Sequence, residues 1–153
     1  MQTLFAEELR KFNKIYREMD ALYHRIAGDC GVSDSGFWVL YAICESGENC
    51  TQKDICELYA VSKQTIHSAI KKLENAGILY LESDKGRDKV IRLTEYGKAF
   101  MEQKIVPVIS LESKMFSKLG ENESIQMLDA IEQYSKLLKE AYEEQAEKME
   151  DME

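Results

Sequence analysis

Apolar residues recur along this chain with two different spacings, and the change of spacing separates helices from strands. Steps of three or four residues are typical of a helix with one apolar face, whereas strict alternation is typical of a half-buried strand. Alternation occurs twice, over residues 78–83 and 89–93, with a glycine-containing turn between them. The helical spacing occurs in six segments: 3–27, 34–45, a short one after Thr51, 62–77, 94–119 and 121–147.

The segment from Ser62 to Gly77 has two unlike faces. Ser62 is a suitable N-cap, because its hydroxyl can accept a hydrogen bond from the first turn, and Gly77 can take the left-handed conformation that ends a helix. One face is an apolar stripe, and the other is polar with no acidic residue before Glu74. The stripe is Ile66, Ala69, Ile70 and Leu73. The polar face carries Gln64, His67, Ser68, Lys71 and Asn75, with Lys63, Thr65 and Lys72 at its borders. The residues of this segment predicted to contact DNA are Ser62, Lys63, Gln64, Thr65, His67, Ser68, Lys71 and Lys72.

That polar face predicts contact with DNA, since short polar side chains suit base edges and lysines suit phosphates. An ordinary solvated helix face would explain it equally well on its own, but the preceding residues favour DNA. Thr51 and Asp54 resemble a capping box that starts a short helix, with Ile55 and Leu58 expected to face inward. Two helices joined by a tight turn, the second with a polar face, constitute a helix-turn-helix.

A charged hairpin follows this unit directly. The turn at residues 84–88 carries Lys85 and Arg87, and the returning strand begins with Lys89. A hairpin placed after a helix-turn-helix makes a winged helix. We therefore predict that these three cations contact DNA, with the arginine reaching a minor groove, where negative potential is focused.

The terminal helices are longer than a compact winged helix needs. Gly28 and Gly31 are expected to end the first, and Pro107 is expected to kink the helix that begins at Thr94, because proline lacks the N–H for an internal bond. Their apolar stripes are most simply buried in a two-fold dimer. The predicted fold is mostly α with a small β-hairpin: an N-terminal dimerisation helix (1–32), a winged helix-turn-helix (33–94) and C-terminal dimerisation helices (95–153), intertwined as one compact unit.

Charge is distributed unevenly along the chain. The net charge of −8 would by itself oppose DNA binding, but residues 61–92 hold seven basic and four acidic residues, for a local net charge of +3. The acidic remainder would disfavour binding in a wrong orientation. No apolar run approaches the roughly 20 residues that span a bilayer, and no signal peptide precedes the first helix, so a cytoplasmic protein is expected.

Cysteine and histidine spacings give little support to metal or catalytic chemistry. The four cysteines form no Cys-x-x-Cys pair, and we predict no metal site, no cofactor and no catalytic residues. Cys44 and Cys56 lie in apolar helical patterns and are expected in the core. Cys30 and Cys50 fall in expected loops and are the better candidates for reactive thiols.

With these motifs in order, the chain resembles the MarR-type (multiple antibiotic resistance regulator) winged-helix transcriptional regulators over nearly its whole length. The matching pieces are Val61-Ser62 with Thr65-Ile66, the run from Leu73 to Leu79, Gly86-Arg87-Asp88-Lys89, and Leu93-Thr94-Glu95-Tyr96-Gly97. Two departures occur. Ser68 stands where the family often has an arginine, and Asp84 lies one residue earlier than the family's wing aspartate, with Gly86 intervening.

The resemblance implies a homodimer that binds a pseudo-palindromic operator in double-stranded DNA, with the Ser62 helix in the major groove and Arg87 in the minor groove. It also implies release by a small aromatic or anionic effector in a crevice between the dimerisation and DNA-binding parts. Five aromatic residues could line that crevice, although each is explained as simply by core packing: Tyr16, Tyr23, Trp38, Tyr41 and Phe100.

The predicted function is therefore sequence-specific transcriptional regulation, expected to be repression. Two alternatives stay open. One is a winged-helix module that binds protein without DNA, which the acidic total charge and Ser68 would favour. The other is a regulator of the same fold that responds to thiol chemistry or zinc.

Overall fold

The computed structural model of this chain describes residues 5–83 and 89–150, apart from the side chains of Glu48 and Glu150. The chain divides into two compact units, Met1–Val108 and Ile109–Glu153. The helices are α1 (Ala6–Cys30), α2 (Asp34–Ser46), α3 (Gln52–Tyr59), α4 (Lys63–Asn75), α5 (Glu95–Phe100), α6 (Val106–Leu119) and α7 (Glu121–Glu150); the strands are β1 (Leu79–Ser83) and β2 (Lys89–Leu93). This confirms the predicted fold class, a mostly helical chain with one hairpin.

Helix α2 is the centre of the first unit, as its apolar character on most sides predicts. Ser33 caps it by accepting a hydrogen bond from the Gly36 backbone N–H at 3.2 Å. Phe37 and Leu40 on this helix are fully buried. The preceding helix α1 ends at Gly31, whose φ of 83° is left-handed, whereas Gly28 lies within α1.

The helix-turn-helix forms as expected, with one error. The capping box is confirmed: the Thr51 backbone N–H donates to Asp54 at 2.8 Å, and the Asp54 N–H donates to the Thr51 hydroxyl at 3.2 Å. Ile55 is fully buried, but Leu58 is 53% exposed, so its predicted inward orientation is wrong. The second turn is instead half-buried at Cys56 and Tyr59, and the Tyr59 hydroxyl donates to Glu45 on α2, so α3 meets the core through a different face.

The hairpin is antiparallel, with Leu79 paired to Leu93 and Ser83 to Lys89. A short third segment extends it, since Thr51 bridges to Val90 and the Ile91 N–H donates to the Cys50 carbonyl at 2.9 Å. The sheet therefore joins the start of α3 to the wing. The predicted turn at 84–88, which includes Lys85 and Arg87, lies outside the described residues.

A close backbone approach connects the end of α4 to the start of α5. The Thr94 hydroxyl donates to the Gly77 carbonyl at 2.6 Å and accepts from the Gly97 N–H at 2.9 Å. A Cβ on Gly97 would overlap the carbonyl oxygen of Ile78. Glycine is therefore required at position 97 by contact, which explains the spacing of the Leu-Thr-x-x-Gly motif.

The helix after Thr94 is interrupted one turn earlier than expected. A π turn covers Met101–Ile105, whereas the predicted kink was at Pro107 itself. A wider turn before a proline accommodates its ring and the missing N–H of the α-helical ladder. The Cys30 thiol donates to the Lys104 carbonyl within this turn at 3.4 Å, so the end of α1 is bonded to it.

The second unit consists of the C-terminal part of α6 and helix α7. Among its described residues, every residue from Ile125 to Met149 is exposed. Along α7 these include Leu128, Ile131, Leu137 and Leu138, each about half exposed. Exposed apolar surfaces of this extent are uncommon on monomeric proteins in water.

The cysteine predictions need correction: the expected core position of Cys44 and the expected loop position of Cys30 are both wrong. Cys44 is exposed and Cys56 is half-buried, whereas Cys30 and Cys50 are buried. Cys30 is the last residue of α1 and not a loop residue, whereas Cys50 does lie between two helical segments, as expected, with its carbonyl bonded to the Ile91 N–H. Burial raises the pKa of both the Cys30 and Cys50 thiols, which lowers their reactivity.

Candidate nucleic-acid interface

Helix α4 presents its polar face outward, because its apolar stripe packs inward. Ser62 caps the helix by accepting from the Thr65 N–H at 3.2 Å, and the two hydroxyls lie 2.8 Å apart. The stripe residues Ile66, Ala69, Ile70 and Leu73 are all buried. All eight residues predicted to contact DNA from this segment are exposed: Ser62, Lys63, Gln64, Thr65, His67, Ser68, Lys71 and Lys72.

The charge on this face is positive and open to a polyanion. Within the described part of the chain, the structure records no ion pair at Lys63, Lys71 or Lys72. The first acidic residue of the helix, Glu74, is half-buried and lies near its end. Three lysines without an acidic partner can therefore neutralise phosphates directly.

The hairpin contributes one further cation to the described surface. Lys89, at the start of β2, is exposed. Arg92, on the same strand, donates from Nε to the Glu82 carboxylate at 2.7 Å, so its charge is largely compensated. Lys85 and Arg87 belong to the turn outside the described residues, so their predicted contacts with DNA stay predictions.

A groove of about 550 Å³ separates the start of α3, the start of α4 and the hairpin. We call it the cationic groove, because three lysines and a histidine line it beside one carboxylate. Its lining residues are Thr51, Gln52, Lys53, Cys56, Glu57, Lys63, His67, Leu81 and Lys89. Three of the residues predicted to contact DNA, Lys63, His67 and Lys89, are thus brought together.

Sequence reasoning missed two residues of this groove, Gln52 and Lys53. Gln52 donates from Nε2 to the Lys63 carbonyl at 2.9 Å, a bond between residues eleven apart in sequence. The position of Gln52 directly after the N-cap Thr51 is the one available signal, since the first turn of α3 adjoins the start of α4. A backbone acceptor leaves no trace in the sequence, so the bond itself could not be predicted.

The five residues predicted to line an effector crevice separate into three places. Tyr23, Trp38 and Tyr41 form one aromatic cluster, with ring centroids 5.2 Å (Tyr23–Trp38) and 5.6 Å (Trp38–Tyr41) apart. Tyr16 instead pairs with Phe12 on α1, and Phe100 pairs with Tyr96 on α5. The three-residue cluster is half-buried and includes residues of both α1 and α2, so it alone remains a candidate for a shared site.

An ion pair connects α1 to the start of α2 beside that cluster. The His24 Nδ1 lies 2.9 Å from both carboxylate oxygens of Asp34. The hydrogen bond and the negative charge of Asp34 raise the pKa of His24 above 6.5, although both side chains are exposed.

In the capping box of α3, hydrogen bonds from Thr51 lower the pKa of Asp54, which keeps the Asp54 carboxylate ionised.

The described residues support neither a metal site nor a membrane-spanning helix. No group of three or more His, Cys, Asp or Glu side chains in residues 5–83 and 89–150 is arranged to hold a metal ion. In the same ranges, no helix combines the length and the apolar character needed to cross a bilayer.

Comparison with known proteins agrees with the sequence motifs. The model of the MarR family matches residues 31–88, which confirms the resemblance over the winged helix. No curated protein matches the chain.

Solved structures extend the likeness to most of the chain. The MarR family regulator NMB1585 of Neisseria meningitidis is 21% identical, with a TM-score of 0.77 over 90% of this chain and 97% of that one. The MepR–DNA complex of Staphylococcus aureus is 21% identical, with a TM-score of 0.66 over 90% of this chain and 99% of that one. A MarR family regulator of Listeria monocytogenes bound to 26mer DNA is 21% identical, with a TM-score of 0.66 over 90% of each chain. At these identities the likeness shows the fold.

Proposed function

We propose that this chain, whose residues 31–88 match the MarR family, is a DNA-binding transcriptional regulator that acts as a homodimer. The observation that carries the proposal is the outward face of α4, where eight polar or basic residues are exposed over a fully buried apolar stripe. Such a face offers hydrogen-bonding groups to base edges and cations to phosphates. Two regulators of the same fold form DNA complexes, which supports this assignment.

A second copy of the chain is the partner that best suits α7. Its exposed apolar residues run along 30 residues of helix, and an isolated helix of that kind gains little stability without packing. Helix α1 carries a comparable exposed set at Leu9, Phe12, Ile15 and Met19. Two-fold pairing would bury these faces and present two α4 helices, which must lie about 34 Å apart to enter successive major grooves.

We further propose that the protein represses transcription and that an effector releases it from DNA. The aromatic cluster of Tyr23, Trp38 and Tyr41 is the candidate effector site, since it spans α1 and the winged-helix core. A ligand there would change the separation of the two α4 helices and so weaken binding. Trp38 is the sole tryptophan, so its fluorescence reports on this cluster directly.

Selection of bound duplexes from a random pool tests DNA binding. We expect an enriched pseudo-palindrome whose half-sites are centred about 10 base pairs apart or a multiple of that. Affinity for the selected duplex should fall steeply with salt. Absence of binding at low salt would overturn the proposal and favour the protein-only module.

Titration with an aromatic carboxylate such as benzoate tests the effector step. We expect Trp38 fluorescence to change at the concentrations that release the selected duplex. Release without a fluorescence change would exclude the aromatic cluster as the site.

A further inference from the structure

One hydrogen bond joins the starts of the two helices in the helix-turn-helix. Gln52 is the first residue of α3 and Lys63 is the first residue of α4, and the Gln52 amide donates to the Lys63 carbonyl at 2.9 Å. The Gln52 side chain is half-buried, although the bond itself lies at an exposed position. Because the bond connects a side chain to backbone, it fixes the position of the α4 N-terminus itself.

The connection between the same helices is strained. Ala60 has φ 50° and ψ 39°, a left-handed conformation that disfavours residues with a Cβ. Its backbone N–H caps α3 through the Cys56 carbonyl, and the Tyr59 hydroxyl donates to Glu45 on α2 at 2.9 Å. Helix α3 is therefore anchored to α2 at its end, and through Gln52 to α4 at its start.

Three lysine side chains line the groove that contains Gln52. The cationic groove is lined by Lys53, Lys63 and Lys89, which come from α3, α4 and β2. Its carboxylate, Glu57, pairs with Lys53 at 3.8 Å, but both side chains are more than two-thirds exposed, so the pair is weak. Three lysines from three elements around one groove suit a single phosphate, provided that the elements keep their spacing.

We propose that Gln52 is a positioning residue for DNA recognition: it holds α4 against α3 so that the cationic groove receives a phosphate of the DNA backbone. This inference rests on the proposed function. The phosphate contact sets the register of α4 along the major groove, and correct register is what allows its polar face to reach the right bases. Loss of Gln52 therefore weakens binding to the specific sequence while the lysine charges, and the attraction to any DNA, remain.

The test compares Gln52→Met with Lys53→Met on the selected duplex and on a random duplex over a range of salt. Methionine matches glutamine in length but cannot donate. We expect Gln52→Met to lose about tenfold in affinity for the selected duplex, which equals about 1.4 kcal/mol. Its affinity for the random duplex and its salt dependence should stay at the wild-type values. Lys53→Met should weaken binding to both duplexes and reduce the slope of log affinity against log salt by about 0.9 for each subunit.

Two further variants separate positioning from a merely structural role. Gln103→Met makes the same exchange at an exposed position in the π turn before α6 and should match the wild type on both duplexes. Gln52→Arg can donate to the same carbonyl and should restore the ratio of selected to random affinity. Equal loss on both duplexes by Gln52→Met, or wild-type affinity for the selected duplex, would overturn the inference. The second result would leave the proposed function intact, whereas failure of the wild-type protein to bind any duplex would remove both.

Discussion

Helices α4 and α7 are both amphipathic, yet their apolar residues differ in burial. In α4 the stripe of Ile66, Ala69, Ile70 and Leu73 is buried within the same chain. In α7 every described side chain from Ile125 onward is exposed. An apolar stripe therefore predicts burial but does not identify what buries it. For α4 the partner is the chain's own core, and for α7 we propose a second subunit.

Matched isoleucine truncations on the two helices should have different consequences. Ile70→Ala should lower the free energy of unfolding by about 4 kcal/mol, because the side chain is fully buried and its removal leaves a cavity. Ile131→Ala should instead raise the dimer dissociation constant by tenfold or more, since its partner is in another subunit. Urea unfolding at several protein concentrations, together with sedimentation velocity, distinguishes the two effects. A concentration-independent loss in Ile131→Ala would contradict the assignment of α7 to an interface.

Gly97→Ala should destabilise the first unit by about 3 kcal/mol, because the new Cβ would overlap the Ile78 carbonyl oxygen and force backbone movement. Gly28→Ala is the matched control, since nothing lies within 4 Å of a Cβ at that helical position. The control should gain up to about 1 kcal/mol from better helix propensity. Equal stability of the two variants in urea unfolding would show that the contact at Gly97 is not tight.

Ala60→Gly should stabilise the protein by about 0.5–1 kcal/mol. Glycine removes the left-handed strain at φ 50°, and the gain exceeds the greater entropy of glycine in the unfolded chain. Thermal unfolding of the variant beside the wild type measures the difference. A destabilised variant would mean that the turn is not strained.

The smallest expected effect is a pH dependence from His24. Its pKa is raised in the folded protein by Asp34, so the ion pair stabilises the fold fully below the unfolded pKa of about 6.5. The contribution is lost as pH rises through the raised folded value. Wild type should therefore melt higher than His24→Gln at pH 5.5 and converge with it at pH 8.5. A difference that persists at the higher pH would exclude this linkage.

Local signals in the sequence predicted local structure well. Thr51 and Ser62 each cap the helix that they were expected to start, because a cap depends on residues within one turn. Gly77 has φ 68° and ends α4 as predicted. The outward face of α4 followed from the same periodicity that placed its stripe inside.

Features that depend on distant contacts escaped prediction. The exposure of Cys44 and the burial of Cys50 are set by which elements pack above them, and spacing along one helix does not reveal this. Gln52 was missed because its acceptor is a backbone carbonyl of the next helix. The predicted effector residues separated because aromatic residues on three helices share a composition without sharing a location.

The salt dependence of DNA binding by Lys71→Ala tests whether the polar face of α4 contacts DNA phosphates in a dimer. Lys104→Ala, in the π turn before α6, is the control. Each dimer loses one phosphate contact per subunit in Lys71→Ala, so the slope of log affinity against log salt should fall by about 1.8, with no change in the control. A fall of about 0.9 would contradict symmetric use of two subunits, and an unchanged slope would contradict the placement of α4 against DNA.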